Sequence, residues 1–142
     1  MKKPIRLYFI CIENRCRSQI AEAYAKQLGK DHVIVESAGL KESEIHPYTV
    51  EVMKEVGINI SSAVSKRIDM KVFIQSNIIV KLCQQTNEKC PVVPFGVQSV
   101  QWNIPDPLQG EEDSLDNVRA SRDVIKSKVM ELLRNLDVPL YE

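Results

Sequence analysis

One cysteine in the chain is followed six positions later by an Arg-Ser pair, in the order Cys11, Arg17 and Ser18. The thiolate is the nucleophilic form of cysteine, and a helix N-terminus and a neighbouring guanidinium both stabilise it. A guanidinium also presents paired N–H donors that match two oxygens of a tetrahedral anion. The spacing therefore predicts a nucleophilic Cys11 in an oxyanion site, with Arg17 gripping the anion and Ser18 hydrogen-bonding the sulfur.

The residues between the cysteine and the arginine are expected to form a loop whose backbone N–H groups surround the anion. Glu13 is the unexpected member of this loop, because its carboxylate would repel an anion and because backbone near an anion often needs conformations that favour glycine. We expect Arg15 to offset that charge, either by pairing with Glu13 or by facing the anion. The predicted oxyanion-binding residues are Ile12, Glu13, Asn14, Arg15, Cys16 and Ser18.

The elements around this loop alternate between strand and helix. Short apolar, β-branched runs predict strands, and apolar residues at helical spacing between capping residues predict helices. A strand precedes the loop and a helix follows it, with Ser18 expected as N-cap and Gly29 at the C-terminal cap. In chain order the predictions are strand Ile5–Cys11, helix Ser18–Gly29, strand Val33–Ala38, helix Pro47–Gly57, strand Ile78–Cys83, a weaker strand Val100–Trp102 and helix Ser114–Leu136, which Pro139 ends. The last five residues, Val138–Glu142, are expected to form a loose tail.

This alternation predicts an α/β fold of three layers, in which a four-stranded parallel sheet carries helices on both faces. Ligands in such folds bind beyond the carboxyl ends of the strands. Cys11, Cys83 and Asp106 each follow a predicted strand, so we expect them at one edge of the sheet.

The composition narrows the class of protein. A chain of 142 residues with 44% hydrophobic side chains is expected to form one domain, residues 1–142. A formal net charge of zero argues against nucleic acid as partner. The longest apolar run, Leu7–Ile12, is far short of the roughly 20 residues that span a bilayer, and no small-residue cleavage site follows it. We expect a soluble, cytoplasmic monomer with no membrane association, free thiols, no metal and no cofactor, since the four cysteines lack zinc-ligand spacing.

Several segments together resemble the thioredoxin-coupled arsenate reductases, which share the fold of the low-molecular-weight protein tyrosine phosphatases. The resemblance runs from Ile5 to about Leu136. It is carried by CIENRCRSQIAEAYAKQLG, by ESAG, by the HP at His46, by MKEVGINIS, by Cys83 with Cys90-Pro91, and by Asp106-Pro107.

The resemblance implies a relay of three thiols regenerated by thioredoxin. Cys11 would attack arsenate while Asp106 protonates the leaving oxygen, and Cys83 would then attack Cys11, releasing arsenite. Cys90 would attack Cys83 next, and thioredoxin would reduce the resulting Cys83–Cys90 disulfide. Cys16 has no redox role in this scheme, so we interpret it as a packing residue.

Two other functions stay open on the sequence. A low-molecular-weight phosphatase would use the same Cys11, Arg17 and Asp106, but Leu108 stands where those phosphatases usually carry an aromatic residue. A non-catalytic oxyanion or redox binding module is the second alternative, because Glu13 weakens the anion loop. A glutaredoxin could replace thioredoxin as the reductant.

Some of these reductases also hold a potassium ion beside the loop, and Asn14, Glu22 and Ser37 match its ligands. Lys66 stands at the remaining acidic position. We expect its ammonium to hold Glu22 in the cation's place, so that no potassium is required. The alternative is that Glu22 and Lys66 are solvated surface charges.

Overall fold

The central strand of the sheet is the apolar run at the start of the chain. The computed structural model describes residues 3–41, 43–82, 90–108 and 114–141. β1 spans Ile5–Cys11, and its last five residues are buried. β2 (Val33–Gly39) and β3 (Ile78–Lys81) pair with β1 on either side, and β4 (Gln98–Gln101) pairs with β3. The strand order is β2-β1-β3-β4 and every pairing is parallel, as the alternating pattern predicted.

Helices connect these strands and begin at recognisable signals. α1 spans Arg17–Gly29, followed by a short 3-10 helix at Lys30–His32. α2 (Pro47–Glu55) opens on a proline, whose fixed φ suits the first helical position. Ser114 caps α4 (Leu115–Asn135), because its hydroxyl accepts from the Asn117 N–H at 3.1 Å. No helix in the described part of the chain is long and apolar enough to cross a membrane.

The two faces of the sheet follow the period of two along β1. Leu7, Phe9 and Cys11 belong to the larger core cluster, which also contains buried residues of α1, α2 and α4. Tyr8 and Ile10 point to the opposite face, where they pack with Phe73 of α3 (Met70–Gln75). Helices therefore cover both faces, which confirms the predicted fold class.

The structure corrects several predicted boundaries. α1 begins at Arg17, and its N-cap residue, Cys16, makes no side-chain capping bond. The N-cap prediction for Ser18 was wrong, because this residue lies inside the first turn and its hydroxyl contacts the Cys11 sulfur instead. β3 ends at Lys81 rather than at Cys83, which lies outside the described residues.

The remaining differences concern short or terminal segments. β4 starts two residues earlier than predicted, and Trp102 follows it, buried against Phe9 with ring centroids 5.8 Å apart. α3 was not predicted, since six residues are too few to show helical periodicity. The tail predicted to be loose is docked: Val138 is buried, and the Tyr141 N–H donates to the Leu28 carbonyl at 2.9 Å.

Candidate active site

The thiol of Cys11 lies where β1 ends and the predicted loop begins, and it receives hydrogen bonds from that loop. The residue is only 2% exposed. The backbone N–H of Asn14 donates to Sγ at 3.2 Å, and Ser18 Oγ lies 2.8 Å from Sγ. Because Ser18 Oγ already accepts from Asn14 Nδ2 at 2.7 Å, its own proton is available for the sulfur. Two hydrogen-bond donors thus face the Cys11 sulfur.

Asn14 organises the loop from its centre. Its φ of +52° places it in the left-handed region, which asparagine tolerates better than most residues. The buried amide joins the loop to β2 through a 2.9 Å bond to Ser37 Oγ, and its Oδ1 accepts from the Lys66 N–H and from Gln19 Nε2, both at 2.9 Å. The conformation expected to trouble Glu13 falls on Asn14 instead, since Glu13 is not among the positive-φ residues of the described chain.

The end of β2 supports the loop from behind. The Leu40 N–H donates to the Cys11 carbonyl and the Lys41 N–H to the Ile12 carbonyl, both at 3.1 Å. A Cβ at Gly39 would lie 2.8 Å from Asn14 N and from the carbonyl carbon of Glu13. Only a glycine therefore lets the strand and the loop come this close.

The position of Arg15 decides between the two arrangements expected for it, pairing with Glu13 or facing the anion. Its Nε lies 2.8 Å from Glu13 Oε2, so Arg15 pairs with the carboxylate. Lys41 Nζ lies 3.4 Å from the other carboxylate oxygen of Glu13. The same Arg15 guanidinium also places Nη2 at 3.5 Å from Asp106 Oδ2. Two cations thus offset the negative charge in the loop.

The segment after β4 brings Asp106 to the same edge of the sheet. The Ile104 N–H donates to the Leu82 carbonyl at 3.1 Å, which ties this segment to the end of β3. Arg17, only 6% exposed, donates from Nη1 to the Ile104 carbonyl at 2.7 Å. Asp106 Oδ1 accepts from the Leu108 N–H at 3.0 Å. Hydrogen bonds thus tie the segment that carries Asp106 to Arg17 and to the end of β3, at the edge of the sheet where β1 ends in Cys11.

The other cysteines occupy different environments. Cys16 is buried in the larger core cluster, and burial raises its pKa to about 12, which is consistent with the packing role assigned to it. Cys90 is half-buried on the opposite face of the sheet with Tyr8 and Phe73. Burial raises the pKa of Cys90 as well, against the lowering effect of the Lys81 charge. Both thiols are free, as is that of Cys11.

The acidic residue beside the loop is enclosed by cations. Glu22 is 9% exposed and accepts a hydrogen bond from Ser37 Oγ. Lys66 Nζ lies 3.6 Å from its Oε1, and Lys26 Nζ lies 2.5 Å from its Oε2. Lys66 thus reaches Glu22 as expected, and Glu22 is not a solvated surface charge. The sequence analysis missed Lys26, although its spacing four residues after Glu22 on a helix was a usable signal.

The site combines a buried thiol at a strand end with an arginine at the start of the next helix and a loop between them. This arrangement is suited to holding a tetrahedral oxyanion against a cysteine. The chain belongs to the low molecular weight phosphotyrosine protein phosphatase family, which it matches over residues 6–139. Both the predicted resemblance and the predicted fold are thereby confirmed.

Relatives within this family carry two kinds of activity in their names. An arsenate reductase of Staphylococcus aureus (strain Newman) is 44% identical over 113 residues, which cover 80% of this chain and 86% of that protein. The structure of an arsenate reductase in the phosphate binding state superposes with a TM-score of 0.77 at 32% identity, covering 92% of this chain and 98% of the other.

Two further structures are similar to the chain. A thioredoxin-dependent arsenate reductase of Corynebacterium glutamicum has a TM-score of 0.77 at 30% identity, over 96% of this chain and 64% of that one. The YwlE arginine phosphatase from Geobacillus stearothermophilus also has a TM-score of 0.77, at 25% identity, over 94% of both chains. The fold therefore serves both reductases and phosphatases.

Proposed function

We propose that this protein reduces arsenate to arsenite with electrons supplied by thioredoxin. The observation that carries the proposal is the Cys11 thiol, held by two donors at the base of an anion loop, in a chain with a further free thiol at Cys90. Hydrolysis of a phosphate ester needs only the first of these thiols. The relatives named arsenate reductase support the same choice.

In the first step, the Cys11 thiolate attacks arsenic. A sulfur–arsenic bond forms and an arsenic–oxygen bond breaks, and the oxygen leaves as water after taking a proton from Asp106. Arg17 and the backbone N–H groups of residues 12–18 hold the remaining oxygens. Donors fixed in position before the reaction stabilise the charge of the transition state without reorganisation.

The second and third steps are thiol exchanges. The Cys83 thiolate attacks the Cys11 sulfur, so that a disulfide forms, the sulfur–arsenic bond breaks and its electron pair reduces arsenic from the +5 to the +3 state. Cys90 then attacks Cys83, which releases the Cys11 thiolate. Thioredoxin reduces the Cys83–Cys90 disulfide, and its own two thiols become a disulfide.

The packing of the described thiols supports the need for an intermediate carrier. Cys11 packs in the core cluster with α1, whereas Cys90 packs with α3 on the other face of the sheet. A disulfide needs Cα atoms within roughly 7 Å. We propose that Cys83, which falls outside the described residues, forms a disulfide first with Cys11 and then with Cys90. In this way Cys83 connects the two thiols.

The test is arsenate-dependent oxidation of NADPH in the presence of thioredoxin and thioredoxin reductase. We expect the wild type to turn over repeatedly. Cys90→Ser is expected to release about one arsenite per molecule and then stop, because the Cys11–Cys83 disulfide is not passed on. Repeated turnover by Cys90→Ser, or full arsenate reduction by a Cys83→Ser, Cys90→Ser double variant, would refute the relay. Replacing thioredoxin and its reductase by glutaredoxin, glutathione and glutathione reductase in the same assay identifies the reductant.

A phosphatase is the second candidate, favoured by the structural likeness to an arginine phosphatase. Leu108 is 5% exposed and belongs to the core, so it offers no ring surface beside a phosphotyrosine. Hydrolysis of an aryl phosphate by the wild type and the double variant alike, without arsenate reduction, would establish the phosphatase. The third candidate, a binding module, was considered because the Glu13 charge would weaken the anion loop. Arg15 and Lys41 offset that charge, so this argument no longer supports it.

The same chemistry sets the surroundings of the protein. All three cysteines must be thiols again before each new cycle, which requires a reducing compartment. We therefore place the protein in the cytoplasm. We also propose that it works as a monomer of one domain. Light scattering that shows a stable dimer would contradict this.

A further inference from the structure

We propose that Arg15 is a positioning residue that holds Asp106 at the anion loop, and that Glu13 fixes Arg15 in place for this task. The proposal rests on the function proposed above, in which Asp106 is the acid. It assigns a role to Glu13, the unexpected member of the loop, and to its partner Arg15.

The geometry of the guanidinium carries the inference. Arg15 uses Nε for Glu13 Oε2 at 2.8 Å and Nη2 for Asp106 Oδ2 at 3.5 Å. These are different nitrogens of one rigid plane, so the pairing with Glu13 fixes the direction in which Nη2 points. The side chains of Glu13, Arg15 and Asp106 are 26%, 28% and 22% exposed. Charges that are partly buried in this way are screened less than those of a free surface pair.

Asp106 needs such a partner, because its other contact restrains only one end of the carboxyl group. Oδ1 accepts from the Leu108 N–H at 3.0 Å, a bond within the turn itself. Arg17 holds the backbone of the same segment through the Ile104 carbonyl. Arg15 thus adds a contact between the anion loop and the acidic side chain, whereas Arg17 holds the main chain.

Glu13 has a second function in this arrangement. A lone arginine at position 15 would be free to turn toward a bound anion or to swing into solvent. Glu13 holds it on Nε, and Lys41 neutralises the remaining oxygen of Glu13 at 3.4 Å. We therefore expect the loss of Arg15 to slow the step in which Asp106 protonates the leaving oxygen. Anion binding is expected to change little.

The experiment measures arsenite formed in a single turnover by the reduced protein at saturating arsenate, without thioredoxin. General acid catalysis contributes about 10²- to 10⁴-fold, and we expect Arg15→Ser to lose about tenfold of it in rate. Arg15→Lys is expected to lose about threefold, because an ammonium lacks the planar fork that bridges two carboxylates. The arsenate concentration at half-maximal rate is expected to change less than about twofold.

A double-mutant cycle separates positioning from direct contact with the anion. In an Asp106→Asn background we expect Arg15→Ser to slow the reaction by less than about twofold, since no acid is left to position. Arg119→Ser is the matched control: Arg119 bridges Glu55 and Asp116 far along the chain, and its loss is expected to leave the rate unchanged. Circular dichroism checks that each variant is folded.

The outcomes distinguish this proposal from the proposed function. If the wild type forms arsenite but Arg15→Ser is equally fast, or is slowed by the same factor in both backgrounds, the positioning role is overturned. If the wild type forms no arsenite, the reductase proposal fails, and the same cycle is measured on phenyl phosphate and 4-nitrophenyl phosphate. Positioning of an acid then predicts a larger loss for the poorer leaving group, phenol. Equal losses, or no hydrolysis of either ester, would overturn it.

Discussion

Gly39 tests the claim that the end of β2 shapes the anion loop. Replacing it by alanine adds one methyl group. This group would lie 2.8 Å from Asn14 N, 2.8 Å from the carbonyl carbon of Glu13 and 2.9 Å from the Ile12 carbonyl oxygen. All three neighbours are backbone atoms, so no side chain can rotate away. The strand or the loop has to move.

The size of the effect follows from the overlap. Ordinary contacts of a Cβ begin near 3.4 Å, so the loop must shift by about half an ångström or more. Overpacking of this kind costs about 1–3 kcal/mol of stability. The displaced atoms include the Asn14 N–H that donates to the Cys11 sulfur. The same shift moves the neighbouring loop N–H groups that the proposed function assigns to the anion, and misplacing one donor to a charged group costs about 1.5–3 kcal/mol, or roughly 10- to 150-fold in anion affinity.

The assay is phosphate binding by calorimetry, together with urea unfolding. Gly57→Ala is the matched control. A side chain at Gly57 would strain the backbone, because φ is +81°, but the added methyl group would meet no atom within 4 Å and so would not push on the loop. We expect both variants to lose stability, by about 1 kcal/mol for Gly57→Ala, and only Gly39→Ala to lose phosphate affinity. The reasoning is refuted if Gly39→Ala binds phosphate as tightly as the wild type.

Three further predictions test the surroundings of the site. The pKa of Cys16 is raised by burial from 9.0 to about 12, so its contribution to stability is complete below pH 9 and is lost as the pH rises toward 12. Between neutral pH and about pH 10.5 the free energy of unfolding, measured in urea, should fall by about 2 kcal/mol more for the wild type than for Cys16→Ala. Equal falls for the two proteins would contradict this. Asn14→Ala should destabilise the protein by about 3 kcal/mol, since it removes the side-chain bonds to Ser18, Ser37, Gln19 and the Lys66 N–H; a loss under about 0.5 kcal/mol would show that the loop stands without them. The melting temperature should be the same in potassium and sodium chloride, because Lys66 and Lys26 already face Glu22; a rise specific to potassium would show that the ion displaces a lysine.

The sequence could predict the fold because its signals are local. β1 is a continuous apolar run and α4 a long amphipathic pattern, and parallel strands joined by helices allow few arrangements. The weaker signals missed α3 and shifted the bounds of β4, for a physical reason. α3 is one and a half turns long, and β4 is exposed along most of its length, so neither shows a clear periodicity.

The candidate site, like the fold, could be predicted only in part from the sequence. The types and order of Cys11, Arg17 and Ser18 indicate the proposed chemistry, because a thiol, a guanidinium and a hydroxyl at this spacing between strand and helix have few other uses. The direction of each side chain was not determined by spacing. Two roles were predicted for Ser18, a helix cap and a hydrogen bond to the sulfur, and the structure shows only the second.

Only the tertiary structure decided what Glu13 and Arg15 do. Their partners, Lys41 and Asp106, come from distant parts of the chain, and the sequence left open whether Arg15 pairs with the carboxylate or faces the anion. The choice depends on distances of a few ångströms between segments that the packing of the sheet brings together. Electrostatic energies change steeply over such distances, so the order of residues determines which charges are present and the fold determines which of them meet.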